Sequence, residues 1–221
     1  MTSSVFWALV RKDLYLMRGF MIATVLTGVL GVVLSAFGRV GFAVGGILFI
    51  TADVASGIFI AMYSLMVERK DLSRMFALSL PISGYRYDLS KLLSGYLAYG
   101  IPWLLMTAMV LVHFLLPGAP HGMLVYALLI QGFVFALFSV VLASLFAVSS
   151  EAMSGVVILV VNICFSLFMV ELNQPTISAP LHGPAIVWTP FATMAVTGDA
   201  IVLALSFAYA LFLTSRRRDY I

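Results

Sequence analysis

The chain has 221 residues, of which 63% are apolar and only 10% are Asp, Glu, Lys or Arg. Soluble domains carry about 25% charged residues, which they need to cover a core, so this composition excludes an ordinary water-soluble domain. The net charge of +3 would suit nucleic acid only if the basic residues formed a patch. A single cysteine, Cys164, excludes an internal disulfide and a cysteine-based metal cluster. We expect it to be a small apolar filler.

The first predicted element is an amphipathic helix over residues 1–19. Its apolar residues share one arc of the helical wheel, and Arg11, Lys12 and Arg18 fall opposite. We expect this helix to lie in the cytoplasmic interface, with an N-terminal extension of the first span as the alternative. Asp13 falls within the apolar arc, where lipid would penalise it and a cation or amide donors of protein would not. We therefore expect Asp13 to contact protein.

Six long apolar stretches predict six transmembrane helices, because about 20 apolar residues span the hydrocarbon core. They cover residues 20–37, 40–67, 92–116, 123–148, 152–170 and 191–215. The second is long enough to tilt or project, and the sixth is the weakest because Asp199 lies inside it. The predicted fold class is an all-α polytopic membrane protein whose single transmembrane domain covers residues 1–221.

The basic residues fix the predicted orientation. With six spans and both termini in the cytoplasm, eleven of the twelve Lys and Arg residues fall inside, and only Arg39 falls outside. A five-span arrangement would move residues 216–218 to the outer face and break this asymmetry. Because topology alone explains where the basic residues lie, we expect no nucleic-acid partner.

The outer segment over residues 171–198 contains no basic residue and holds half of the eight prolines. Pro175, Pro180, Pro184 and Pro190 forbid a continuous helix. The segment is nevertheless rather apolar, so two interpretations stay open: a re-entrant segment shielded by other helices, and a plain outer loop.

Asp53 is the one charged residue in the second span, where an ionised side chain costs roughly 2.5 to 3.5 kcal/mol unless it is paired or hydrated. It lies either on a central cavity or ion path, or in a hydrogen bond to a neighbouring helix, for example to Gln131 or Asn162. In the same span Gly41 and Gly45 form Gly-x-x-x-Gly, which favours close helix contact within this chain or with a second copy.

Catalytic and cofactor-binding motifs are missing from the sequence. None of the three lysines follows a glycine, so there is no phosphate-binding loop. His113, His121 and His182 lack the spacing of a zinc site, and Gly-x-Ser-x-Gly is absent. We expect neither an enzyme nor a cofactor or metal in this chain.

The cytoplasmic loop over residues 68–91 combines dense charge with apolar residues at helical spacing. An amphipathic helix of this kind either docks in the groove of a partner protein or rests on lipid headgroups. The residues alone leave both uses open.

This loop is similar to that of type-2 ABC transporter permeases, which have an acidic start, Leu-Pro-Ile/Val-Ser and then a Lys that opens span three. The matching residues run from Glu68 to Ser83 (ERKDLSRMFALSLPIS), followed by Lys91. The opening run LVRKDL, Leu9 to Leu14, resembles the basic-Asp-Leu element of the same family.

The resemblance implies a permease subunit of an ATP-driven exporter in the plasma membrane, a bacterial inner or cytoplasmic membrane. Its partners would be two copies of a cytosolic ATPase, which hold the ATP and Mg, and a second copy of this chain or a related permease, as in a homodimer. The family's coupling helix would dock on the ATPase, the elbow helix would carry Asp13, and the outer segment would gate the exit. The implied docking residues are Glu68, Asp71, Leu72, Arg74, Met75, Phe76, Leu78 and Pro81.

The sequence leaves alternatives open for the class of substrate and for the source of energy. An apolar lining with one acid suits a hydrophobic or amphipathic peptide, drug or lipid. The competing hypothesis is an autonomous ion-coupled carrier or channel in which Asp53 binds the coupling cation.

Overall fold

The computed structural model describes residues 2–64, 83–116, 119–148 and 150–216, without the side chains of residues 2, 3, 151 and 216. Within these residues the chain forms helices and no strand. They are α1 (Thr2–Ser35), α2 (Gly38–Met62), α3 (Gly84–Leu115), α4 (Met123–Ala147), α5 (Glu151–Leu172), α6 (Pro175–Leu181) and α7 (Pro190–Arg216). All except α6 are long and apolar enough to cross a membrane. The prediction of an all-α protein with six membrane-spanning helices is confirmed.

Successive spans alternate in direction, so the segments that connect them lie alternately at the two ends of the bundle. We call the end with the N-terminus and residues 65–82 the inner end, following the predicted orientation, and the opposite end the outer end. The orientation itself stays a prediction.

Helix α1 continues without a break where the sequence analysis divides an interfacial helix from the first span. Its 34 residues make it about 51 Å long, against a hydrocarbon thickness of about 30 Å. A continuous helix corresponds to the alternative of an N-terminal extension. About 20 Å of α1 thus lies outside the hydrocarbon or inclined within the interface, and the interfacial position stays a prediction.

Helices α1 and α2 form a hairpin with a tight outer turn. Gly38 opens α2 with a φ of 71°, a backbone conformation that glycine adopts without strain. Further along α2, a Cβ at Gly45 would meet the carbonyl oxygen of Gly31 and lie 2.8 Å from the backbone nitrogen of Ser35. The Gly-x-x-x-Gly motif therefore serves contact within this chain, and it gives no support to the second copy considered from the sequence.

Helix α4 is the centre of the bundle. It is apolar on all sides, which is typical of a helix surrounded by others, and Leu129 and Leu142 are fully buried in the main core. Helices α2, α3, α5 and α7 contact it. Its depth in the fold explains why a run of 25 residues contains no charged residue.

Helices α5 and α7 present most of their surface outward, although each contacts α4. Cys164 on α5 is exposed, so it does not fill space between the described helices of this chain. The start of α5 is capped by Ser150, whose hydroxyl accepts a hydrogen bond of 3.2 Å from the backbone N–H of Met153.

The outer segment is broken, as its prolines predict. Helix α5 ends at Leu172, and the seven-residue α6 and an irregular stretch follow before α7 begins at Pro190. The segment is fixed to the start of α4: the backbone N–H of Gly122 donates to the carbonyl of Gly183 at 3.1 Å, and Leu181 is fully buried. Whether it re-enters the membrane stays a prediction.

The inner start of α3 lies earlier than predicted. Ser83 is its N-cap and accepts a hydrogen bond from the backbone N–H of Arg86 at 3.4 Å. The last residues of the predicted loop, 84–91, are therefore helical, and Lys91 lies two turns inside α3 rather than at its beginning. Contact between α3 and α1 then determines the surroundings of Lys91.

Candidate functional site

The inner end of the bundle holds a buried ion pair between α1 and α3. The ammonium group of Lys91 donates to both carboxylate oxygens of Asp13, at 2.8 and 2.7 Å. The hydroxyl of Ser94 donates to the same carboxylate at 3.0 Å. Asp13 and Lys91 are 4% and 2% exposed, so their charges are almost fully withdrawn from solvent. Asp13 thus contacts a protein cation through the face that the sequence analysis identified as apolar.

The ion pair is supported by an apolar contact one helical turn nearer the inner end. There Leu9 of α1 and Tyr87 of α3 are both buried in a small cluster, with Val5 beside them. The ammonium group of Lys91 also lies 5.5 Å from the centre of the Tyr87 ring. Residues 9 and 13 thus meet residues 87 and 91, so the two helices run side by side in the same direction.

The predicted docking residues lie outside the described residues. They are Glu68, Asp71, Leu72, Arg74, Met75, Phe76, Leu78 and Pro81, and all fall between residues 65 and 82. The structure does describe both ends of this stretch. Helix α2 leads into it, and α3 begins directly after it.

Asp53 lies deep in the bundle, where α2 faces α3 and α4. Its side chain is fully buried, and its Oδ1 accepts a hydrogen bond of 2.9 Å from the hydroxyl of Tyr99. Its Oδ2 makes no hydrogen bond within the described part of the chain, although the Gln131 side chain lies close to the carboxyl group. Asn162, the other partner suggested from the sequence, is wrong: it is exposed on α5 and donates to the backbone of Ile158.

Gln131 connects this region to α3. Its side-chain oxygen accepts from the hydroxyl of Thr107 at 3.1 Å, and its backbone carbonyl accepts from the indole N–H of Trp103 at 3.0 Å. The polar groups at the centre of the bundle therefore bond mostly to one another across three helices. This arrangement fixes α2, α3 and α4 in register.

A cavity of about 130 Å³ opens in the outer half of the bundle, among α1, α2, α3 and α4. Its walls are almost entirely apolar and glycine-lined, with Gly31, Gly45 and Phe49 among them, and its polar side chains include Gln131 and His113. A space of this size holds a benzene ring or a short alkyl chain. Asp53 does not line it, so the prediction of Asp53 on a cavity finds no support in this space.

Asp199, on α7, is a second acid at membrane depth. It is partly exposed, and its Oδ2 is buried and makes no hydrogen bond to any described residue. This oxygen faces the backbone of α4, 3.2 Å from the position that a Cβ on Gly132 would occupy. The glycine leaves the space in which the carboxyl group lies.

The three histidines lie at the outer end, where each has a different partner. His113 meets the hydroxyl of Ser35 at 3.3 Å, and His121 meets the carbonyl of Phe114 at 2.7 Å. Among the described residues there is no group of three or more His, Cys, Asp and Glu side chains that could hold a metal ion.

A family model described as "ABC-2 family transporter protein" matches residues 8–215. The chain belongs to the ABC-2 family of transporters. Neither a curated protein nor a solved structure matches it. The match covers all six spans, and it makes this chain an integral membrane protein and the permease subunit of an ABC transporter. ABC-2 permeases are the membrane component of such transporters, and their general partner is an ABC ATPase.

Some site residues of this ABC-2 permease could be predicted from the sequence and others could not. Asp13 could be predicted because its charge interrupts an apolar arc, whereas Lys91 was identified only as part of the family motif. Its partner role had a signal: Lys91 is a cation at the edge of an apolar run and Asp13 an anion in another. Tyr99 gave no signal, because an aromatic residue in an apolar span is usually part of the core.

Proposed function

We propose that this chain is the permease subunit of an ATP-driven exporter whose ATPase is a separate cytosolic protein. ATP and Mg bind in that partner, and ATP binding moves residues 65–82 and with them the spans. The transporter contains two permease chains, two copies of this one or this one with a related chain, and two ATPase chains. It works in a plasma membrane, a bacterial inner or cytoplasmic membrane.

The observation that carries the proposal is the family match over residues 8–215, together with a sequence that has no phosphate-binding loop. A transporter of this family needs ATP hydrolysis, so a partner has to supply it. The ion pair at the inner end adds support, because it fixes the helix that follows residues 65–82 to the N-terminal helix.

The substrate that the cavity supports best is a hydrophobic or amphipathic molecule. The walls of the cavity are apolar, and Gln131 and His113 provide the means to bind a polar group. The cavity opens in the outer half of the bundle, which suits a molecule that leaves through the outer leaflet.

The first prediction concerns docking. Replacing Met75 and Phe76 with Asp should abolish co-purification of the ATPase and ATP-dependent transport, because two charges would replace apolar groups at the expected contact. The chain should still be found in the membrane fraction. The measurement is the ATPase to permease ratio after gentle detergent purification, with Cys164→Ser on exposed α5 as the matched control. An unchanged ratio with unchanged transport would contradict the proposal.

Liposomes that contain this chain alone test the alternative of an autonomous carrier. The exporter proposal expects no uphill transport from them. The ion-coupled carrier expects transport that depends on pH or sodium and is lost in Asp53→Asn.

A further inference from the structure

The ion pair of Asp13 and Lys91 joins two helices that are far apart in sequence, and the second of them, α3, begins directly after residues 65–82. We propose that this pair is a positioning element: it makes the inner half of α1 and the start of α3 one rigid unit, so that a displacement of residues 65–82 also moves α1. The inference rests on the proposed function, since it assumes that an ATPase acts on those residues.

The first argument is the geometry of the contact. Two hydrogen bonds from the ammonium group of Lys91 and one from Ser94 hold the carboxylate of Asp13, so that the carboxylate has one orientation. The Leu9 and Tyr87 contact lies one turn away along both helices. Two contacts one turn apart restrain rotation and sliding of α1 against α3.

The second argument is the cost of the pair. Removing two charges from water is expensive, and well-packed apolar residues of similar volume are often at least as stable as a buried ion pair. Stability alone is therefore a weak reason for Asp13 and Lys91 to lie 4% and 2% exposed. Charge-assisted hydrogen bonds are stronger than neutral ones, so the three that hold the Asp13 carboxylate favour one relative position of the two helices.

The third argument is connectivity. Helix α3 begins at Gly84, directly after the stretch that contains the docking residues, and Lys91 follows two turns later in the same helix. A helix transmits a displacement of its first turn to its second with little loss. The same displacement then reaches Asp13 through the ion pair, and from there α1, which extends to the outer end and lines the cavity.

The experiment measures distances by spin labelling in the complex with the co-purified ATPase, without nucleotide and after trapping with ATP and vanadate. Labels replace exposed Ala8 on α1 or exposed Arg86 on α3, each paired with exposed Met153 on α5, in a Cys164→Ser chain. In the otherwise unchanged chain, trapping should shift both distances. With Asp13→Asn and Lys91→Gln together, the Arg86 distance should still shift and the Ala8 distance should not.

Two further variants separate positioning from stability. The charge-swapped variant, Asp13→Lys with Lys91→Asp, should restore the shift at Ala8. Ser139→Ala removes the hydrogen bond between Ser139 and Tyr96 in the middle of the bundle, and it should leave both shifts in place. A loss of the Ala8 shift in this control would overturn the inference, because destabilisation alone would then produce the effect.

Other outcomes distinguish the inference from the proposed function. If the neutral variant keeps the shift at Ala8, or if Ala8 stays still in the unchanged chain while Arg86 moves, the ion pair does not couple the helices and the inference is wrong on its own. If no ATPase co-purifies with the unchanged chain, the proposed function fails and the inference fails with it.

Discussion

The two carboxyl oxygens of Asp53 have different surroundings. Oδ1 accepts the hydroxyl of Tyr99, whereas Oδ2 has no hydrogen bond among the described residues. A buried polar group without a partner costs free energy. The hydrogen bond from Tyr99 therefore offsets part of the cost of burying the Asp53 carboxyl group. This makes the Tyr99 hydroxyl important to the core of the bundle.

Replacing Tyr99 with Phe should therefore lower the free energy of unfolding in detergent by about 1 to 3 kcal/mol, because Asp53 would lose the hydrogen bond that its Oδ1 accepts. Removing the carboxyl group as well, in Asp53→Ala with Tyr99→Phe, should cost less than the sum of the two single changes. Denaturant unfolding followed by fluorescence gives the values. Strictly additive losses would show that the hydrogen bond contributes little.

Asp13 and Lys91 lead to a different prediction at the same scale. Asp13→Ala leaves the Lys91 ammonium buried without its carboxylate and should cost about 3 to 5 kcal/mol. Asp13→Asn with Lys91→Gln removes both charges and should cost clearly less. The comparison of the two melting temperatures measures this, and equal losses would mean that leaving the Lys91 charge without the Asp13 carboxylate costs little.

The sequence was enough to predict that Asp13 contacts protein, because its place on the helical wheel needs no tertiary information. It was not enough to identify Lys91, which is 78 residues away along the chain. Contacts at that separation depend on which helices become neighbours. The same reason explains why Gln131 was correctly suggested near Asp53 while Asn162 was not: both are amides in spans, but Gln131 lies on α4, which contacts α2, and Asn162 is exposed on α5.

At the scale of helices, glycine placement determines how α1 and α2 meet. A Cβ at Gly45 would collide with backbone atoms of Gly31 and Ser35, which have no freedom to move aside, whereas a Cβ at Gly46 meets nothing within 4 Å. Of these two neighbouring positions, one therefore has no room for a side chain and the other accepts one.

Gly45→Ala should lower the free energy of unfolding by about 1 to 3 kcal/mol, as expected when a buried contact is overfilled. Gly46→Ala is the matched control and should be neutral or stabilising by about 0.5 to 1 kcal/mol, because alanine is the better helix former. Thermal unfolding of both variants in the same detergent tests the difference. Equal behaviour would indicate that α1 and α2 separate easily.

The existence and approximate position of the spans could be predicted because a stretch of about 20 apolar residues is a strong signal. Their ends could not, since an end depends on local caps such as Ser83, which begins α3 eight residues before the predicted span. For residues 1–19 the sequence left two interpretations open, an interfacial helix and an extension of the first span, and α1 is continuous there. Arg18 marks a change of polarity, but a helix continues through a change of polarity when no breaker is present.

At the scale of the whole molecule, the predicted orientation has a direct test. In a Cys164→Ser chain, a cysteine at Phe37, which is 72% exposed in the outer turn, should react in intact cells with a maleimide that does not cross membranes. A cysteine at Arg86, exposed at the inner end, should react only after the membrane is opened. The measurement is labelled protein on a gel. If only the Arg86→Cys chain were labelled in intact cells, the orientation would be the opposite of the predicted one.

The position of α7 against α4 has a consequence for biosynthesis. Helix α7 follows the central helix α4 by two spans in the chain, yet it covers one of its sides. Until α7 inserts, that side of α4 faces lipid or an insertion factor. A nonsense mutation ahead of α7 would leave α4 with an open flank, the kind of product that membrane quality-control proteases remove.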